Sequence, residues 1–540
     1  METNLMDLEK RLLSRNKWTY SVGGVGRDMV YQLVATFLLV YVQFSMNLTA
    51  AQFSVIGILL VIGRVWDAVN DPIMGSIVEN THTKWGKFKP WILTGAILTA
   101  IAIVFMFNFR PQGWGYVVFF GVMYLVWELA FTLNDIPYWS LLLNLAREKK
   151  DRDQIATMVV VFAGVGAFLG NAIISFTTVG NAVKGYSIIS YTFALFFIAC
   201  TLLTVLGVKE PKEVTEEAPD KISIKRMFLV IKNNDQLLWS ALALLLYSVG
   251  SGLLVALGYN FFYIELGYNG TLVLIFIATF GVSNILIQSF YATLAKRFTR
   301  SQLLKYSFIV LGLGYVLMLL MGYVSFFPVH ILTTCIFGAL VFSGQAIFYM
   351  VIIVNMTNTI EYNEFRTGSR NEAVIFSLRP FVAKFASALQ QGLVTLVLIV
   401  SGIYLLSQNI SQLENQKNVF DQLNAADQTT YIANIATRTS ILDDVDISAE
   451  QKSDLYDALA VVTFETNGDT QTMVINDAAD FAFRDQATGT MRFLLRVAIT
   501  ILPILLIGGS YFVLEKKFII SEKYYEEITK EMLSKEAVVE

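Results

Sequence analysis

Residues 52–79 read QFSVIGILLVIGRVWDAVNDPIMGSIVE. This apolar stretch is longer than the roughly 20 residues with which a helix crosses a lipid bilayer. It nevertheless contains Arg64, Asp67 and Asp71, whose spacing places them on one helix face, with Asn70 beside them. Ionisable residues inside a spanning helix are costly, and they mark the paths of ions and substrates through membrane proteins. The stretch therefore predicts a polytopic membrane protein whose helices enclose a polar site.

The composition of the 540-residue chain supports this prediction. Hydrophobic residues make up 55% and charged residues only 15%, against roughly 25% charged residues in an average soluble protein. Two cysteines, Cys200 and Cys335, lie in apolar runs and exclude a disulfide framework or a cysteine-based metal site. No nucleophile–base pair, phosphate loop or metal cluster appears in the sequence, so we expect neither an enzyme nor a cofactor. The expected partners are the lipid bilayer and a small molecule, with no nucleic acid and no obligate protein partner.

We predict an all-α membrane protein with twelve transmembrane helices. The apolar segments are 19–45, 52–79, 90–109, 115–143, 155–180, 186–208, 237–264, 270–295, 303–324, 328–360, 371–405 and 491–514. A polar linker at 209–236 separates an N-terminal six-helix bundle (1–208) from a C-terminal bundle (237–540). A basic loop at 84–89 also has a weak counterpart at 296–300. Two parallel six-helix halves are the architecture of the major facilitator superfamily.

The distribution of basic residues predicts the orientation of the chain in the membrane. With both termini inside, 28 of the 40 lysines and arginines fall on the cytoplasmic side and eight on the outer side. This excess is the positive-inside pattern of membrane proteins. We therefore expect a multi-pass protein of the cell membrane with cytoplasmic termini and linker, and an extracellular segment between helices 11 and 12.

That extracellular segment, residues 406–490, is acidic, with 14 acidic and 4 basic residues. Residues 449–462 have the pattern of an amphipathic helix, and residues 463–475 have that of a hairpin with Asn467–Gly468 at the turn. The segment is either a solvated decoration or a folded cap over the outer entrance. A cap would bury apolar side chains such as Tyr456, Leu459 and Phe464.

Two carboxylates one turn apart, Asp67 and Asp71, repel each other in a low-dielectric environment. A proton, a metal cation or Arg64 would relieve this repulsion. Carboxylate and amide oxygens suit a hard cation, which favours Na⁺. The alternative is a structural network of ion pairs in which Arg64 is the partner of both carboxylates.

The fourth segment carries Thr132, Asp135 and Trp139 at helical spacing. A carboxylate beside an indole suits a polyol, because the carboxylate accepts hydroxyl protons and the ring covers apolar C–H groups. Glu128 shares the face of Asp135, but a position near the outer surface would leave it hydrated, so we place it outside the site. Pro137 is expected to kink this helix.

Three further charged groups lie inside predicted spans. Asp28 is too short to reach the membrane surface, whereas the neighbouring Arg27 has an alternative position at the inner surface. Lys384 is the only lysine in the middle of a predicted span, and it is either a counter-ion to the carboxylates or a hydrogen-bond donor to the substrate. The mixed charges at 361–379 fit either an inner gate or a solvated loop.

Four stretches carry a resemblance to a known family. They are RVWDAVNDPIMGSIVENTHTKWGKFKPW (64–91), NDIPYWSL (134–141), TIEYNEFRTGSRNEAVIFSLRPFVAK (359–384) and EKKFIISEKYYEEI (515–528). Together they resemble the glycoside–pentoside–hexuronide:cation symporters of the major facilitator superfamily. The resemblance extends over all twelve predicted helices. It implies symport of a sugar into the cell by alternating access, coupled to Na⁺, with H⁺ or Li⁺ as the alternatives.

The resemblance also implies roles for individual residues. The implied cation ligands are Asp67, Asn70, Asp71 and Thr132. The implied sugar contacts are Arg27, Asp28, Asp135, Trp139 and Lys384. The implied inner gating residues are Glu361, Glu364 and Arg370.

Two positions depart from the family pattern. Val160 stands where an arginine of helix 5 is expected to contact the sugar, and Arg379–Pro380 replaces a polar pair before Lys384. The identity of the sugar is therefore left open, and Pro380 is expected to bend helix 11. The remaining alternatives are a carrier of another solute, such as a hexuronate or a lysolipid-like amphiphile, and a sensor that uses 406–490 to bind a partner.

Overall fold

The computed structural model describes residues 2–142, 144–146, 149–209, 232, 234–368, 372–443, 445, 447 and 449–539. The first half of the chain contains the helices α1 (Glu2–Ala35), α2 (Phe37–Ser45), α3 (Ala50–Glu79), α4 (Lys89–Asn108), α5 (Gly113–Leu142), α6 (Lys149–Thr178) and α7 (Ala182–Gly207). The predicted linker 209–236 lies largely outside the described residues.

The second half begins with α8 (Asp235–Ala256), α9 (Gly258–Glu265), α10 (Gly270–Ala295), α11 (Arg300–Leu320), α12 (Ile331–Thr367) and α13 (Glu372–Val400). It ends with α18 (Gly489–Ile499), α19 (Ile501–Lys517) and α20 (Glu522–Val539). Between these parts lie α14 (Ile403–Phe420), α15 (Ala425–Thr437), α16 (Ala449–Leu459), strands β1 (Thr463–Asn467) and β2 (Thr470–Val474), α17 (Asn476–Ala479) and a π-helix (Asp480–Arg484).

Twelve membrane crossings agree with the sequence-based prediction. Within the described residues, 11 helical segments are long and apolar enough to cross a bilayer, and α8–α9 and α18–α19 each count as one of them. The pair α1–α2 supplies the twelfth crossing as a broken span, bent by 45° around Thr36. The bounds of these segments lie within eight residues of those predicted from hydropathy.

Each half is a helix bundle with its own packing partners. In the first half α1 packs on α6 and α7, and α4 packs on α5 and α7. In the second half α11 packs on α12, and α8 packs on α13 and α19. The two halves meet where α3 packs against α13 and α6 packs against α10. The site described below lies at the first of these two contacts.

The connections between helices define two faces of the molecule. We call the face that carries both termini the terminal face. There the Asn16 side chain donates to the Lys209 carbonyl at 2.9 Å and ties α1 to the end of α7. We call the opposite face, which carries residues 406–490, the insertion face.

The two halves are hydrogen-bonded to each other toward the insertion face. The side-chain amides of Gln43 and Asn260 exchange two hydrogen bonds of 2.6 and 3.2 Å. Deeper in the bundle, the Ser175 and Tyr259 hydroxyls lie 2.6 Å apart. Because each contact joins the first half to the second, this conformation is closed at the insertion face.

Residues 406–490 fold into a cap, as the second of the two interpretations predicted. The amphipathic helix predicted in this segment is α16, and Tyr456 and Leu459 are 8% and 1% exposed. The Phe420 ring lies 5.1 Å from that of Phe464. Tyr456, Leu459 and Phe420 belong to the buried apolar core, and Phe464 packs against it half-buried, so the segment is not simply a solvated loop.

The predicted hairpin is present, but its turn lies one residue later than predicted. Strands β1 and β2 pair antiparallel, with Asn467 opposite Thr470. The two-residue turn is therefore Gly468–Asp469 rather than Asn467–Gly468. Gly468 has φ 66°, a left-handed conformation that glycine adopts without steric cost.

Candidate functional site

A lysine from one half of the molecule joins two carboxylates from the other. Lys384 on α13 has its Nζ atom 3.0 Å from Asp67 Oδ2 on α3, and it also contacts Asp71 Oδ2. The repulsion between the two carboxylates is therefore relieved by Lys384 and not by Arg64, which the sequence had offered as a partner. Two carboxylates and one ammonium leave this cluster with a net charge of about −1 when all three are ionised.

The other two predicted cation ligands lie beside this cluster. The Thr132 hydroxyl on α5 donates to Asp67 Oδ1 at 3.2 Å. Asn70 is 8% exposed and immediately precedes Asp71 on α3. The carboxylate, hydroxyl and amide oxygens are ligands that suit a hard cation. A monovalent cation also matches the net charge of the cluster.

Four of the five predicted sugar contacts form a second cluster around Arg27, whereas the fifth, Lys384, belongs to the first cluster. Its guanidinium bonds to Asp28 Oδ2 at 2.8 Å and to Asp135 Oδ1 at 3.0 Å. It also lies over the rings of Trp139 and Tyr138, at 4.7 and 5.0 Å from their centroids. Arg27 is only 5% exposed, so the alternative that it reaches the membrane surface is wrong.

The charged side chains of both clusters remain partly accessible. Asp28, Asp71, Lys384 and Asp135 are 20%, 25%, 26% and 30% exposed. Exposed charges are unfavourable against lipid, whereas they are stable beside a water-filled cavity. These side chains therefore face a polar environment rather than lipid, and Thr132 and Asp135, three residues apart on α5, connect the two clusters.

Glu128 lies inside the protein, and the prediction of a hydrated position near the outer surface is wrong. It is 2% exposed and lies 3.7 Å from the guanidinium of Arg64, which is 4% exposed. The Arg64 guanidinium also lies 5.8 Å from the ring centroids of Tyr31 and Trp127. The two charges compensate each other in an aromatic environment. Both were visible in the sequence as intramembrane charges, but helix periodicity does not show which helices are neighbours.

Tyr138 belongs to the second cluster, although it was not among the predicted site residues. Its ring stacks on that of Tyr20 at 4.4 Å, and each hydroxyl donates to the backbone carbonyl of the other residue. Together with its contact to Arg27, this fixes the position of the guanidinium relative to α5. The signal was its position beside Trp139 in the NDIPYWSL motif.

Two of the predicted gating residues lie near the terminal face. Glu361 and Glu364 belong to the last turns of α12, and the Glu364 carbonyl accepts from Gly368 N–H at 2.8 Å. Arg370 lies outside the described residues. An ion pair of this region that was not predicted joins Arg366 to Asp235 at the start of α8.

The two positions that depart from the family pattern are also located. Val160 lies on α6 and is 60% exposed. The guanidinium of Arg379 donates to the Tyr349 hydroxyl at 2.6 Å, within the second half. Helix α13 continues through Pro380 as one element, as α5 does through Pro137.

Comparison with known proteins places the chain in a transporter family. A sequence model of the family described as MFS/sugar transport protein matches residues 19–426. The chain is similar to the lactose permease of Lactobacillus delbrueckii subsp. bulgaricus, with 28% identity over 414 residues that cover 73% of this chain and 64% of the permease. It is also similar to the raffinose carrier protein of Pediococcus pentosaceus, with 24% identity and coverage of 71% and 62%. The chain thus spans less than two thirds of these relatives.

The fold also matches solved structures. The crystal structure of a bacterial homologue of the human lysosomal transporter Spinster superposes with a TM-score of 0.59 at 10% identity, covering 93% of this chain and 96% of that one. At this identity the likeness shows the fold alone, which is an all-helical one of twelve crossings in two halves. The family match confirms the resemblance inferred from the four sequence motifs. This multi-pass membrane protein belongs to the MFS/sugar transport family of the major facilitator superfamily.

Proposed function

We propose that this protein is a cation-coupled symporter that carries a sugar into the cell by alternating access. The observation that carries the proposal is the bridge from Lys384 of one half to Asp67 and Asp71 of the other. A coupling ion and Lys384 compete for the same carboxylates. Binding of the ion therefore alters a contact between the halves, which alternating access requires.

The charge of the cluster supports coupling to a monovalent cation. One Na⁺ or one proton brings the net charge of Asp67, Asp71 and Lys384 to about zero, and a neutral site is enclosed in a low-dielectric interior at lower cost than a charged one. The oxygen ligands from Asn70 and Thr132 favour Na⁺ over a proton, because a proton needs no additional ligands. Na⁺ is therefore our first choice.

The second cluster supports a sugar as the substrate. Arg27, Asp28 and Asp135 offer both donors and acceptors to hydroxyl groups, and Trp139 offers an aromatic face. An ion held by Asp67 and Thr132 fixes α5, which also carries Asp135. When the ion replaces Lys384 at one of the two carboxylates, the ammonium still balances the other and also becomes available to donate to the sugar. The curated relatives named for lactose and raffinose support this substrate class.

Uptake into proteoliposomes tests the proposal. We expect at least one labelled glycoside, from a panel of glycosides, pentosides, hexuronates and a lysophospholipid, to accumulate under an inward Na⁺ gradient. Parallel runs with a proton gradient and with no gradient identify the coupling ion. Accumulation under the proton gradient alone would replace Na⁺ by H⁺ at the same carboxylates. Accumulation of the lysophospholipid alone would reject a sugar substrate.

The change Asp135→Asn tests the sugar cluster. The amide keeps the shape but loses the charge that holds Arg27 in place and accepts hydroxyl protons. Hydrogen bonds to charged groups contribute about 1.5–3 kcal/mol, so we expect sugar affinity to fall by roughly ten- to a hundredfold, measured by isothermal titration in detergent.

Asp153→Asn is the matched control, because Asp153 is exposed on α6 away from both clusters. Its sugar affinity should equal that of the wild type. Wild-type affinity in folded Asp135→Asn would remove Asp135 from the sugar site.

A further inference from the structure

The cap of residues 406–490 contacts both halves, although the chain connects it only to the second. The family match ends at residue 426, so most of the cap lies beyond it. Its first helix, α14, lies against α2 and α7 of the first half and against the π-helix of its own cap. None of its residues belongs to the two charged clusters.

Polar side chains of α14 bind the first half directly. Asn415 Nδ2 donates to the Ser45 carbonyl at 3.1 Å, and Arg110 donates to Asn415 Oδ1 at 3.0 Å. The Ser411 hydroxyl donates to Asn47 Oδ1 at 2.9 Å. Separation of the two halves at the insertion face must break these hydrogen bonds, because the cap remains covalently attached to the second half.

Glu414 lies at the junction of the two halves. Its Oε2 atom accepts from the Ala182 N–H of the first half at 2.6 Å. Its Oε1 atom accepts from the Tyr268 hydroxyl of the second half, also at 2.6 Å. The side chain is buried, with 1% exposure. Opening separates Glu414 from the Ala182 N–H and so breaks a buried hydrogen bond between the halves, which makes this junction resist opening.

We propose that the cap is a latch on the insertion face, in which Glu414 and the neighbouring polar side chains of α14 hold the first half against the second. The latch releases the first half each time this face opens. The cap stays attached to the second half when this face opens. Asp480 Oδ1 of its π-helix accepts from the Tyr268 N–H of the second half at 2.6 Å, and opening does not affect this bond. The inference uses the proposed function only in requiring that the halves separate here.

Distances between spin labels test the latch and report separation whether or not a sugar is carried. Labels are attached to Ala51→Cys at the start of α3 and Thr271→Cys at the start of α10, both exposed. The background is Cys200→Ala/Cys335→Ala. We expect Glu414→Ala to raise the ratio of separated to closed molecules about tenfold, the effect of losing one hydrogen bond between the halves. The control Glu465→Ala makes the same chemical change at an exposed position of β1 in the cap and should leave the ratio unchanged.

The double change Ser411→Ala/Asn415→Ala tests the latch by a second route and keeps the test valid if Glu414→Ala does not fold. It leaves the buried carboxylate intact but removes two side chains that bind the first half. A rise in the separated population is again expected. An unchanged population in the folded variants, or an equal rise in Glu465→Ala, would overturn the proposal.

The pH dependence of opening distinguishes a latch from a purely structural carboxylate. Burial raises the pKa of Glu414 to about 7, although the hydrogen bond from Tyr268 acts in the opposite direction. The other ionisable groups that interact with Glu414 are Tyr186, Tyr263 and Lys417. Asp480 and Arg484 of the adjacent π-helix form an ion pair with each other.

The closed state therefore holds a proton that the opened, hydrated carboxyl releases. Raising the pH from the ordinary value of about 4.5 through about 7 should favour opening, by up to about tenfold per pH unit, with no further change above that window. Glu414→Gln, which does not titrate, should lack this part of the pH dependence. A profile identical to that of the wild type would contradict the latch.

Discussion

Replacement of Asp71 by asparagine is expected to abolish accumulation of sugar against its gradient while sugar exchange continues. In the native cluster, Lys384 balances one of the two α3 carboxylates, and the second remains for a cation. With a neutral amide in place of the Asp71 carboxylate, Lys384 and Asp67 neutralise each other. No net charge is left to attract a cation into the low-dielectric interior. The sugar cluster around Arg27 is unchanged.

Assays in proteoliposomes measure gradient-driven accumulation and sugar exchange separately. Accumulation by Asp71→Asn under a Na⁺ or proton gradient should fall to the level reached without a gradient. Counterflow, in which internal unlabelled sugar exchanges for external label, should persist. Asp153→Asn, the same chemical change at an exposed position of α6, should accumulate sugar like the wild type. Undiminished gradient-driven accumulation by Asp71→Asn would exclude Asp71 from the cation site.

The positions of the spanning helices along the chain were predictable because they depend on local sequence. A run of about 20 apolar residues must cross the bilayer as a helix whatever its neighbours are, since the backbone has no other hydrogen-bond partners in lipid. The turn between β1 and β2 was predictable to within one residue for a similar reason. Turn chemistry is set by two or three adjacent residues, here Gly468 and its neighbours.

The partners of the charges were not predictable from helix periodicity. Spacing shows that Asp67 and Asp71 share a face, but not which helix that face meets. The sequence left Lys384 with two roles, and the structure shows it as the counter-ion of both α3 carboxylates. The resemblance to a known family grouped Asp67 with Thr132, and Arg27 with Asp28 and Asp135, and these side chains are neighbours in the structure. A family resemblance carries three-dimensional information that one sequence lacks.

In the cap, too, the sequence did not show which charged residue lies at a contact between the halves. Fourteen acidic residues lie between 406 and 490, and composition makes them equivalent. Only the folded structure singles out Glu414, which is 1% exposed and has one donor from each half. The overall acidity of the segment predicted a solvated surface, whereas one buried carboxylate, Glu414, is the basis for proposing that the cap holds the two halves together.

Arg64→Met is expected to destabilise the protein more than any other single change considered above. It leaves Glu128 buried with 2% exposure and without its counter-charge. Breaking a buried ion pair by removing one partner costs about 3–5 kcal/mol, whereas replacing both partners by apolar residues is often neutral or stabilising. The double variant Arg64→Met/Glu128→Leu should therefore recover most of the stability. The two changes should be strongly non-additive.

Thermal unfolding in detergent measures this non-additivity. The four proteins compared are the wild type, Arg64→Met, Glu128→Leu and the double variant. Arg379→Met is the matched control, because Arg379 is exposed and donates to a tyrosine hydroxyl rather than to a carboxylate. Its midpoint should stay close to that of the wild type. A double variant no more stable than Arg64→Met alone would show that Arg64 acts through its packing on Tyr31 and Trp127 rather than through its charge. Recovery in the double variant, combined with wild-type accumulation of sugar, would assign this pair to the fold and leave coupling to Asp67, Asp71 and Lys384.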